Sequence, residues 1–138
     1  MIQFYFLSVI ANFLAGTALS ADWFARTIPG LAGLGASFSG RRGRMAIGLS
    51  AIFVGVGTLF VPVNAPIILG DLFPSLAGMV TGIALLFEVF KQDAVFPAER
   101  GEKNDKVERL PVAYRTALGI LGLAAAILHF FLPERPII

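Results

Sequence analysis

Long uncharged stretches alternate with short charged ones along this chain. No Asp, Glu, Lys, Arg or His occurs in residues 1–21, 45–70, 72–87 or 116–128. A helix needs ~20 mostly apolar residues to cross a hydrocarbon core roughly 30 Å thick, so the first two runs suffice alone and the last two need their flanks. The pattern predicts an all-α integral membrane bundle of four transmembrane helices. Its spans fall at about 2–21, 45–61, 74–90 and 112–132, within a single membrane domain covering residues 1–138.

The breaks between the runs differ in kind. Thr27 to Gly40 (TIPGLAGLGASFSG) is uncharged but holds four glycines and a proline. As a helix it would reach only ~21 Å, which predicts a short interfacial or re-entrant segment between helices 1 and 2. Pro62 and Pro66 around Asn64 predict a turn, after which Asp71 or Ser75 can cap the third helix. Lys91 to Pro111 carries five basic and five acidic residues in mixed order, the pattern of a solvated loop. Ala18-Leu19-Ser20 would suit a signal peptidase, but Met1-Ile2-Gln3-Phe4 has no basic n-region, so residues 1–21 read as a retained span. A faint repeat, P-x-L-A-G, occurs at Pro29–Gly33 and Pro74–Gly78.

Composition agrees with this reading. Only 14% of residues are charged, against roughly 25% in soluble domains. The absence of cysteine excludes disulfides, thiolate metal sites and cysteine nucleophiles. With four spans, the loops 22–44 and 91–111 share one side of the membrane. Nine of the 11 Lys and Arg lie in these loops and a tenth, Arg115, just inside the fourth span on the same side, while only Arg135 lies opposite. Basic residues near span ends mark the cytoplasmic side, so both loops are expected inside and both termini outside, in the cell (cytoplasmic) membrane.

Arg41, Arg42 and Arg44 are accordingly expected to orient the second span and to lie against anionic lipid headgroups, each contributing about 1 kcal/mol near a negative leaflet. Nucleic acid is not expected, because binding it needs a wider basic face interleaved with aromatics. Gly33-Leu34-Gly35 lacks the spacing of a phosphate-cradling loop. Arg115, one turn inside the fourth span, can snorkel to the headgroups, and Glu88 and Asp71 read as boundary or cap residues.

Within lipid, helices associate through small residues and interhelical hydrogen bonds. Ser8, Asn12, Gly16 and Ser20 recur every fourth position on one face of the first span. The second span offers Ala46–Ser50 and Ala51–Gly55, the third a G-x-x-x-G at Gly78 and Gly82, and the fourth a face containing Gly119 and Gly122. An unpaired amide is costly in hydrocarbon, so Asn12 should bond to another helix. Asn12 and His129 are also the polar groups that could line a pathway. A lone histidine lacks co-ligands, so no metal is expected, and no cofactor is implied.

No constellation for catalysis appears. Carriers usually hold a carboxylate or charged pair inside the membrane, as small four-span drug exporters do in their first helix, and these apolar runs contain none. The reading is therefore a small polytopic, non-enzymatic membrane protein: a subunit or assembly/scaffold factor of a membrane complex, or alternatively a small oligomeric transporter or channel. Its expected partners are the lipid bilayer and either another membrane protein or further copies of the chain.

Overall fold

The computed structural model describes residues 2–31, 33, 38, 40–60, 72–93 and 111–131. Among the described residues the fold is built on four long helices: α1 (Ile2–Thr27), α2 (Arg41–Phe60), α3 (Leu72–Asp93) and α4 (Val112–Phe131). All four are long and apolar enough to span a membrane. The turn at Pro62–Pro66, the Asp71 cap and the polar loop before Pro111 lie outside the described residues.

Local chemistry sets the helix ends, and they differ from the expected spans. α1 continues past the apolar run to Thr27, and the Ile28 N–H still donates to the Phe24 carbonyl at 2.8 Å. Pro29, which lacks an N–H and disfavours helix in the residue before it, then turns the chain into a 3₁₀ turn at Pro29–Leu31. α2 starts at Arg41, a turn earlier than expected, with the Arg44 N–H donating to the Gly40 carbonyl. Arginine is a good helix former, so the helix outruns the uncharged stretch. Pro74 sits in the first turn of α3, where an N–H would have no intrahelical partner. Ser75 is thus inside the helix and not at its cap. In α4 the Pro111 carbonyl accepts from the Tyr114 and Arg115 N–H groups.

α1 and α3 form the centre of the bundle, each packing on the other three helices, while α2 and α4 lie at opposite corners. The closest pairs are α1 with α4 and α2 with α3, both antiparallel. The size gradient is the reverse of a soluble core. The buried apolar residues are mostly small, such as Ala11, Ala15, Ala18, Ala51 and Ala125, whereas Phe53, Phe60 and Phe131 are more than 70% exposed. In lipid this arrangement is stable, because burying a large apolar side chain gains little there and close backbone approach gains more.

Glycines permit that approach. A Cβ on Gly16 would stand 2.7 Å from the Gly119 carbonyl oxygen, and one on Gly82 would stand 2.7 Å from that of Gly48. Both distances are shorter than real Cβ contacts. Of the two small pairs in α2, Ala51–Gly55 faces α3, while Ala46 and Ser50 face outward. Phe38, in the connection after α1, is half-buried and packs against the core. The two P-x-L-A-G copies begin differently among the described residues: Pro29 opens a 3₁₀ turn, and Pro74 lies in the first turn of a long helix.

Candidate functional site

The polar residues of the bundle fall into three levels. At one end, the Tyr5 hydroxyl donates to the His129 carbonyl, with the Phe130 carbonyl 3.2 Å away, and the two rings of Tyr5 and His129 meet at 4.5 Å. Carbonyls in the last turn of a helix lack intrahelical donors, so Tyr5 of α1 satisfies the end of α4.

At mid-height, Asn12 Nδ2 donates to the Ser8 carbonyl and to the Pro74 carbonyl, both at 3.0 Å. This ties α1 to α3, while Asn12 Oδ1 is buried without a hydrogen-bond partner among the described residues. Thr58 and Ser75 hydroxyls meet at 2.6 Å between α2 and α3. Thr17, Ser20 and Thr81 instead return their hydroxyls to carbonyls of their own helices. Asn12 and His129 are not brought together: the first bonds toward α3 at mid-height and the second packs on Tyr5 at the end.

The opposite end holds the feature that sequence reasoning missed. One charged residue from each helix joins a single network. Glu88 Oε2 lies 2.8 Å from Arg44 Nη1, Glu88 Oε1 lies 2.5 Å from Arg115 Nε, and Arg115 Nη1 lies 2.9 Å from Asp22 Oδ2. The side chains of Glu88 and Arg115 are 4% and 5% exposed and that of Arg44 is 11%, whereas Asp22 is 49% exposed. The contact between Arg115 Nε and Glu88 is an ion pair without hydrogen-bond alignment, and Arg115 Nη2 and Arg44 Nε are buried with no hydrogen-bond partner among the described residues. Two positive and two negative groups cancel, as the cost of removing charge from water demands.

These placements correct the expectations for individual residues. All four charges lie within the membrane-length helices, so the spans do hold a charged cluster. Glu88 is a buried bridge and not a boundary residue. Arg115 turns inward to Glu88 and Asp22 instead of snorkelling. Arg44 separates from its neighbours: Arg41 and Arg42 are exposed, while Arg44 pairs with Glu88. The expected packing residues converge in two seams. Gly16 with Gly119 and Gly122 lies between α1 and α4, Gly82 faces Gly48 between α3 and α2, and Gly78 lies beside Ala51 and Asn12. Ser8, fully buried, is on the Asn12 side of α1. Only Arg115 was signalled by spacing, one turn before Gly119, whereas Glu88, six residues after Gly82, lies off the G-x-x-x-G line.

No group of three or more His, Asp or Glu that could hold a metal occurs among the described residues. Among the described residues, open apolar grooves mark the flanks. One of about 290 Å³ runs between α1 and α4 along Ile10, Phe13, Ala126 and Phe130. Another, about 620 Å³, runs beside α2 along Leu7, Leu49, Ser50 and Phe53.

A protein-family model matches residues 1–129. An uncharacterized protein of Treponema pallidum (strain Nichols) is 34% identical over 134 residues, spanning 94% of this chain and 93% of that protein. No solved structure matches. The likeness covers more than nine-tenths of both proteins, and the chain belongs to the same family as this Treponema protein.

Proposed function

We propose that this multi-pass membrane protein is a non-catalytic subunit or assembly factor that docks a second membrane protein through α2. The observation that carries this reading is the outward pair Ala46 and Ser50. Most small-residue faces are consumed inside the bundle, but this pair faces outward beside the apolar groove at Leu49 and Phe53. Small residues four apart on a lipid-facing surface suit close approach by another helix. Only a third of the α2 span is buried by its own chain, which leaves room for such a neighbour.

The orientation that fits the charge distribution has the Arg41–Arg44 end and the 91–111 loop in the cytoplasm and both termini outside the cell membrane. Cysteine labelling from each side of intact cells tests it. Labels on the two termini in different compartments would overturn it.

Purification in gentle detergent followed by native mass measurement tests the docking reading. A stoichiometric foreign membrane protein, lost on Ala46→Leu/Ser50→Leu while the bundle keeps its thermal stability, is the expected result. A homo-oligomer alone, with solute flux in liposomes, would replace it by the second reading, a small oligomeric transporter. The charged cluster inside the spans favours that alternative, since buried ionisable groups in membranes often mark ion or substrate routes.

A further inference from the structure

Helices α1 and α3 share more than a direction. Ala11, Gly16, Ala18, Leu19 and Asp22 stand 66 positions before Ala77, Gly82, Ala84, Leu85 and Glu88. Arg44, Ala46 and Gly48 in α2 stand 71 positions before Arg115, Ala117 and Gly119 in α4. Each set keeps one spacing throughout its helix, with Asp replaced by Glu at a single position.

The contacts obey the same two spacings. A Cβ on Gly16 would meet the Gly119 carbonyl and Leu123, and one on Gly82 would meet the Gly48 carbonyl and Ile52, the equivalent atoms of the other pair. Gly122 approaches the Asn12 carbonyl, and Gly78, the equivalent of Asn12, approaches the carbonyl of Ala51, the equivalent of Gly122. Ile47 and Leu118, again equivalents, both pack against the core from partly buried positions. The pair Arg115–Asp22 maps onto Arg44–Glu88. Shared composition alone would not reproduce a contact list under two fixed shifts. The relation is that of two parallel hairpins about an axis along the membrane normal.

One contact breaks the symmetry. Arg115 reaches across to Glu88, and the equivalent contact, Arg44 to Asp22, is not formed. Glu is one methylene longer than Asp and can bridge two arginines where Asp holds one. We infer that the chain is a tandem duplication of one helical hairpin, and that its four charges form a composite site on the pseudo-two-fold axis with two equivalent pairings. Glu88 bridges both arginines in this pairing, and Asp22 bridges both in the other. Carboxylate length selects between them.

Exchanging the lengths tests this directly. Full-length Glu88→Asp, Asp22→Glu and the double variant D22E/E88D are compared by thermal unfolding in detergent and by carbodiimide modification of positions 22 and 88, read by mass spectrometry. In the native chain position 22 reacts several-fold faster than position 88. E88D lowers the Tm, and D22E/E88D regains at least half of the loss with the order of reactivity inverted. A double variant that regains less, or that keeps position 22 the more reactive, overturns the interchange. So does an E88D variant with unchanged Tm. All these variants keep every charge.

Discussion

Arg115 Nε lies 2.5 Å from Glu88 Oε1, joining α4 to α3, the least extensively packed of the neighbouring helix pairs. Glu88 also holds Arg44, so one carboxylate ties together three helices. Glu88→Ala leaves two buried guanidinium groups with their main counter-ion gone. Removing one partner of a buried pair costs about 3–5 kcal/mol, and thermal unfolding in detergent should show a loss of that order. Asp22 is half exposed, so Asp22→Asn should cost no more than about 1 kcal/mol. Equal losses for the two variants would mean that Glu88 is not the hub.

The two glycines of the G-x-x-x-G in α3 should behave differently. A Cβ on Gly82 meets backbone at 2.7 Å, while one on Gly78 meets nothing closer than 3.3 Å. Gly82→Ala therefore forces α2 and α3 apart and should cost about 1–3 kcal/mol, the scale of overpacking. Gly78→Ala should lie near neutral. Unfolding curves for both, with Gly30→Ala as the control whose Cβ has open space around it, check the contrast.

That difference shows what could be read from residue order and what could not. The four helices follow from hydropathy, and the inward face of α1 from the four-residue spacing of Ser8, Asn12, Gly16 and Ser20, whereas in α2 the same kind of spacing at Ala46 and Ser50 marks an outward face. A small residue says only that something comes close, and nothing in α1 names α4 as its partner. The charged cluster was hidden for a related reason. Hydropathy places Asp22, Glu88 and Arg115 at the edges of apolar runs, where solvation is the default, and only the packing of four helices brings them into one buried site. The repeat escaped because its matches are dispersed through the helices, whereas P-x-L-A-G is contiguous and recurs at a different spacing, 45 positions.

Asn12 contributes through one hydrogen bond to another helix, to the Pro74 carbonyl. Interhelical bonds in membranes average ~0.6 kcal/mol with a maximum near ~1.7. Asn12→Ala should fall in that range, and its effect should be independent of Thr58→Ala, which removes a separate bond to Ser75. A double variant that departs from additivity by more than about 0.5 kcal/mol would reveal a single coupled polar network at mid-height.

Tyr5→Phe removes the hydroxyl from the carbonyls of His129 and Phe130 while keeping the ring contact. Faster amide hydrogen exchange confined to the last turn of α4 is the expected result, with the Tm lowered by less than for Tyr5→Ala. Unchanged exchange there would mean that water or lipid headgroups replace the hydroxyl without loss.

α1 has 26 residues and α4 has 20, so at 1.5 Å per residue α1 is longer by about 9 Å. A hydrocarbon slab roughly 30 Å thick matches the shorter helix, and the longer one extends past it. The surplus turn and a half carries Trp23 and Arg26, side chains suited to the ester and headgroup layer. The uncharged run of α1, residues 2–21, is itself about 30 Å long as a helix, so α1 projects into the headgroup layer without stretching its lipid annulus, and acyl-chain length sets the depth at which Asp22 sits.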